Sequence, residues 1–151
     1  MFSKKKLIQS RDNLNLLVCK LNKLCRFLNE LYDINSGGCC FVATCLARLL
    51  DQDKVKYKIG IDYGDDSDVD SISELNHAVF HVVLIINGEL VNPDETDSYE
   101  TYEIKNWREL YDYYNRVHDW SSFYNKCQNS FISKTIANFY YDFTEDLRER
   151  K

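Results

Sequence analysis

Apolar residues at Leu14, Leu17, Val18, Leu21, Leu24, Cys25, Leu28 and Leu31 recur every three or four positions, which predicts a long amphipathic helix near the start of the chain. Ser10 or Asp12 is placed to accept the unpartnered N–H groups of its first turn. The seam is also close to heptad spacing, but so short a run favours a core-facing helix over a coiled coil. A second helical pattern runs from Cys39 to about Asp51, with Val42, Ala43, Leu46, Leu49 and Leu50 on one face. Between Lys54 and Ile61 the period drops to two (Val55, Tyr57, Ile59, Ile61), the mark of a half-buried strand. Gly64 to Asn76 is acidic, lacks an apolar period and reads as a loop. Ala78 to Ile86 is a nearly continuous apolar strand, Asn87-Gly88 suits a tight hairpin, and Glu89 to Asn92 returns antiparallel. From Trp107 to about Leu147 helical spacing resumes through Trp107, Leu110, Tyr111 and Tyr114, then Phe131 or Ile132, Ile136, Phe139, Tyr140 and Phe143. Two or three helices packing on the sheet are expected, their aromatic stripe serving the core rather than a cleft.

The order of these elements predicts an α+β fold with N-terminal helices, a small antiparallel sheet and C-terminal helices. A length of 151 residues fits a single domain, 1–151. With only one proline and five glycines, the chain should be rich in regular elements and use its glycines at turns. The net charge of −5 and the run Asp65-Asp66-Ser67-Asp68-Val69-Asp70 speak against nucleic acid as a partner, since phosphate binding needs a cationic face. Lys4-Lys5-Lys6 reads as a solvated tail. No apolar run approaches the roughly 20 residues that span a bilayer, so no membrane partner is expected. Six cysteines raise the question of disulfides, but the basic start is not followed by a secretory h-region, so a reducing, cytoplasmic setting is expected. Cys19, Cys25, Cys45 and Cys127 fall on apolar stripes, where a free thiol acts as a small hydrophobe.

Two cysteines remain, and their setting differs. Asn35-Ser36-Gly37-Gly38-Cys39-Cys40-Phe41-Val42-Ala43 reads as a glycine turn that delivers a cysteine to a helix start. A helix N-terminus favours the thiolate, and its unpartnered N–H groups suit the oxyanion of a tetrahedral intermediate. The later strand carries His81 and the hairpin ends on Asn92, the layout of a nucleophile, its base and the base's orienter. Helical spacing puts Cys39 with Val42, Ala43 and Leu46, and Cys40 with Thr44 and Ala47 on a more mixed face. His77 and His81, four apart, lie about 13 Å from one another on a strand, so only one reaches the thiol. His81 sits deeper in the strand, and Asp94 competes with Asn92.

Gly37-x-Cys39-x-x-Val42-Ala43, the strand-borne His81 and the polar orienter after a hairpin together resemble the papain-like and transglutaminase-like cysteine enzyme superfamily, most closely its small members from bacteria and bacteriophages. The likeness covers about residues 35–95. It implies a papain-like core and a thiolate that attacks an amide, isopeptide or thioester carbonyl through an acyl-enzyme, as in a peptidase, deamidase or transglutaminase-like enzyme. It further implies a protein or peptide substrate and no cofactor, working in the host cytoplasm if the chain is phage-encoded. Papain-type enzymes follow the nucleophile with an aromatic residue, which fits Cys40-Phe41, and His77-Ala78 resembles the start of many transglutaminase-like strands. The family's glutamine ahead of the cysteine is missing; Asn35, Ser36 or backbone N–H groups stand in its place. Asn92 replaces the aspartate of transglutaminases and matches the Cys-His-Asn set of papain. A metal site built from Cys39, Cys40, Cys45, His77 and His81 is not expected, because their spacing is not that of a zinc knuckle. The alternative to an enzyme is a non-catalytic binding module, an inhibitor or adaptor, keeping the same fold.

Overall fold

Ser10 lies in extended backbone and its hydroxyl accepts the Asn13 N–H at 3.4 Å, which starts helix α1, Arg11–Tyr32. The computed structural model describes residues 10–35, 38–64, 69–76, 79–94, 98–117 and 126–149, and the side chains of the last helix only from 129 to 145. Ser36, Gly37, the Asp65–Asp68 run, His77, Ala78, Lys4 to Lys6 and the side chain of Cys127 therefore lie outside the described residues. Leu17, Val18, Leu21, Leu24, Cys25 and Leu28 of α1 are buried, whereas Leu31 runs past the core and is exposed. Cys19, expected on the apolar stripe, is exposed too: it follows Val18 by one residue, a turn of about 100° that carries it off the buried face.

Helix α2, Cys39–Gln52, is the centre of the molecule. Its expected single apolar face is too narrow a description. Cys39, Cys40, Val42, Ala43, Thr44, Leu46, Ala47, Leu49 and Leu50 are all buried, as in a helix enclosed on most sides. It packs on the sheet, on helix α3 (Arg108–Val117) and on helix α4 (Lys126–Glu149). Past its end, Lys54 turns left-handed with φ 57°, its N–H donating to Asp51 O at 3.1 Å and the Val55 N–H to Leu50 O at 2.9 Å. That closure explains why strand β1 is Lys58–Asp62 and does not begin at Lys54: the alternation of Val55 and Tyr57 belongs to the lead-in.

Strands β2 (His81–Ile86), β3 (Glu89–Val91) and β4 (Glu100–Tyr102) complete a four-stranded antiparallel sheet of order β3-β2-β1-β4. β4 carries no sequence signal, because three residues are too few to show a period. Asn87 and Gly88 have φ of 53° and 80°, both positive as the tight hairpin requires. The register pairs Asp62 with His81, which brings the histidine to one end of the two central strands. The described part of the loop after β1 holds more structure than its acidity suggested. A single 3-10 turn, Ile72–Glu74, buries Ile72 and Leu75, whose carbonyls accept from Arg116 Nη2 at 3.1 and 3.0 Å.

In the C-terminal part the buried face of α3 is Leu110, Tyr113, Tyr114 and Val117, and Tyr111 is exposed. On α4, Ile132 is buried while Phe131 is exposed. Tyr140 donates its hydroxyl to the buried Asp53 at 2.5 Å, tying α4 to the end of α2. Among the described residues, no helix is long and apolar enough to cross a membrane.

Packing is close at Gly60 of β1. A Cβ there would stand 2.7 Å from Val83 Cγ2 and 3.2 Å from Tyr99 Cβ. Gly60→Ala should destabilise the fold by about 1–3 kcal/mol through overpacking, despite the lower entropy of its unfolded chain. Urea denaturation, read as a lower midpoint at unchanged slope, checks this.

Candidate active site

Gly38 precedes α2 as its N-cap, with no side chain to close the helix end. Its N–H donates to Ile34 O at 2.6 Å and its carbonyl accepts the Val42 N–H at 3.0 Å. Cys39 is thus held as the first residue of the helix, among N–H groups that the helix itself leaves unpaired.

His81 opens β2 with its imidazole beside the Cys39 thiol. Its Nε2 lies 2.6 Å from the backbone oxygen of Asn92. A carbonyl only accepts, so Nε2 carries the proton and donates, and Nδ1 is the nitrogen that faces the sulfur. Burial alone would lower the imidazole pKa. The hydrogen bond and negative charge of Cys39, the Asn92 carbonyl and the charge of Asp94 outweigh it and raise the pKa above 6.5.

Asn92 orients the histidine in a way the sequence reading did not foresee. The acceptor is its main-chain carbonyl, and its side chain is turned elsewhere, Nδ2 donating to Asn35 Oδ1 at 3.0 Å. Asn92 sits at φ 63°, a left-handed conformation that asparagine tolerates better than most residues. Its N–H donates to Asn22 Oδ1 at 2.7 Å, and Asn22 Nδ2 donates to Leu90 O at 3.0 Å. Asn22 of α1 therefore grips the chain on both sides of Val91 and fixes the carbonyl that fixes His81. Nothing in the periodicity of α1 marked Asn22 as more than a polar helix residue.

The other candidates fall elsewhere. Cys40 is fully enclosed; burial and the neighbouring Cys39 push its thiol well above the ordinary range, against a smaller opposing effect from Thr44. Asp94 receives the Tyr99 hydroxyl hydrogen bond and reaches His81 through its charge. Asn35 is a brace: its N–H donates to Asn29 Oδ1 at 2.9 Å and its side-chain oxygen is taken by Asn92. His77 and Ser36 lie outside the described residues. Beside the site Phe80 is 73% exposed, its ring against Gly64, whose φ of 75° and missing Cβ leave room for it. No group of three or more His, Cys, Asp or Glu side chains among the described residues is arranged to hold a metal ion.

The surroundings of His81 set how the protein responds to pH. Its raised pKa makes its contribution to stability greatest below the unfolded-state value and lost as pH rises through the folded-state value. His81→Gln should therefore destabilise the protein more at about pH 5.5 than at about pH 9, as measured by thermal unfolding. In an NMR titration the wild-type His81 midpoint should lie above 6.5, and Asp94→Asn should lower it. The backbone acceptor is tested separately. Asn92→Gly keeps both the carbonyl and the positive φ and should preserve that raised midpoint, whereas Asn92→Ala should cost about 1–2 kcal/mol in backbone strain. Asn22→Ala, which releases the carbonyl's support, should lower the midpoint although Asn22 never touches the imidazole.

Compared with protein-family models, with curated proteins and with solved structures, the chain has no match.

Proposed function

We propose that the protein is a cysteine-dependent hydrolase or acyl transferase acting on an amide, isopeptide or thioester carbonyl, with Cys39 as nucleophile and His81 as base. The observation that carries this reading is the imidazole of His81 beside the Cys39 thiol at a helix start, with Nε2 anchored on Asn92 O. A paired thiol, an oriented base and free N–H groups in one place are the parts that acyl transfer needs. The papain-like and transglutaminase-like arrangement is part of this proposal, with one change: the third member acts through its main chain.

In the proposed mechanism His81 takes the Cys39 proton, and the thiolate attacks the carbonyl carbon. The carbonyl oxygen becomes an oxyanion held by the N–H groups at the start of α2. Collapse of this intermediate breaks the bond to the leaving group, which takes the proton from His81, and leaves an acyl group on Cys39. His81 then removes a proton from water or an amine as it attacks the thioester, which releases the acyl product and restores the thiol. Throughout, Asn92 O holds Nε2–H and keeps Nδ1 on the reacting side. The exposed Phe80 ring, next in the chain to His81, offers an apolar contact to a peptide substrate.

A second reading, a binding module that has kept the fold, is favoured by one observation: Cys39 and His81 are only 5% and 1% exposed.

Iodoacetamide labelling at about pH 6, followed by peptide mass spectrometry, separates the two. Burial raises the Cys25 thiol to about 12 and Cys45 to about 11, so these should stay unlabelled, as should Cys40. Exposed Cys19 provides the internal reference. Cys39 should react at least about tenfold faster than Cys19, and His81→Ala should abolish that advantage while leaving Cys19 unchanged. Cys39 labelling slower than Cys19 would favour the binding module.

A further inference from the structure

Asn92 is followed by Pro93, the single proline of the chain, so the oxygen that accepts from His81 Nε2–H is the carbonyl of an Asn-Pro peptide bond. A residue before proline favours extended backbone, yet Asn92 holds φ 63°. Such a conformation persists only where its surroundings impose it. Asn22 and Asn35 grip Asn92 itself, ahead of the proline. The far side of the proline is held by a different residue.

Beyond Pro93 the chain passes from β3 at one edge of the sheet to β4 at the other, and both junctions lie at the end of the central strands where His81 stands. Asp94 belongs to the β3 side and Tyr99 to the β4 side, and the Tyr99 hydroxyl joins them twice. It accepts the Asp94 N–H at 3.0 Å and donates to the Asp94 carboxylate. One oxygen thus pins both the main chain and the side chain of Asp94. Tyr99 is itself seated against β1: its Cβ stands 3.2 Å from where a Gly60 Cβ would lie, and Glu100 after it pairs with Ile61. Burial, then the bond to Asp94, push the phenol pKa up, so the hydroxyl keeps its proton while His81 titrates. Only Pro93 separates Asp94 from Asn92, and its ring fixes φ near −65°.

We infer that Tyr99 is a positioning residue for His81, holding the Asn92 carbonyl against Nε2–H through Asp94 and the stiff link of Pro93. Its consequence for catalysis rests on the proposed chemistry, since a misaimed imidazole would no longer take the Cys39 proton. The hydrogen bond it controls can be measured apart from that chemistry.

Tyr99→Phe, which removes one oxygen and keeps the ring on Gly60, tests this by NMR of the full chain. In the wild type, neutral His81 should be the Nε2–H tautomer, read from its two imidazole nitrogen shifts. Tyr99→Phe should speed exchange of that proton with water at least about fivefold, the equivalent of one ordinary hydrogen bond, and move the two shifts toward their average. Tyr102→Phe is the control: it removes the β4 hydroxyl bonded to Tyr63 at 2.5 Å and should lower stability with the exchange rate of the His81 proton unchanged. Asp94→Asn keeps an acceptor for the Tyr99 hydroxyl and should also leave that rate unchanged. Exchange in Tyr99→Phe as slow as in the wild type, or equally accelerated in Tyr102→Phe, overturns the inference and makes Tyr99 a brace of its turn alone. Iodoacetamide labelling reads the consequence: Tyr99→Phe should reduce the advantage of Cys39 over Cys19, and an undiminished advantage overturns the link to catalysis. Cys39 no faster than Cys19 in the wild type overturns the proposed function instead, and the exchange measurement still decides the role of Tyr99.

Discussion

The hydrogen bond from His81 Nε2–H to the carbonyl of Asn92 is the constraint on which the rest of the site depends. It selects the tautomer, and the tautomer decides which nitrogen meets Cys39. A main-chain acceptor is more rigid than a side-chain one, since it moves only if the backbone moves. The backbone here is restrained three times over: by the hairpin that ends in Val91, by the grip of Asn22 on Asn92 N–H and Leu90 O, and by the Asn92 amide on Asn35. Asn35 in turn is held by Asn29, so both braces lead back to α1. The N-terminal helix, which contributes no group to the proposed chemistry, is the frame on which its geometry is built.

Cys39 and Cys40 show how one residue of helix changes a thiol. A step of about 100° takes the side chain from His81 into the core. Cys40 is completely buried, and a thiolate there would have neither solvent nor a cation to stabilise it. Cys39 keeps a trace of exposure and an imidazole partner at the positive end of the helix dipole. The fold separates a structural thiol from a reactive candidate with no change in residue type.

Long periodic segments were legible in the sequence, and so were the hairpin and the pairing of a helix-start cysteine with a strand histidine. What escaped has physical reasons. β4 is too short to show a period, and the lead-in Val55 and Tyr57 alternates although the chain there is closing a helix. The buried 3-10 turn at Ile72 owes its place to Arg116, far along the sequence, and no local pattern records such a contact. The role of Asn92 was read one atom too far out, because residue types report side chains whereas the acceptor belongs to the backbone. Asn22 was invisible for a related reason: polar residues on an amphipathic helix are expected to face water, and only tertiary structure shows one gripping a strand.

Helix α2 links the two ends of the molecule in one electrostatic arrangement. Its N-terminus, the positive end of the dipole, holds Cys39; its C-terminus, the negative end, is followed directly by Lys54. Both placements follow the same dipole, so Lys54 has a structural explanation and carries little information about function.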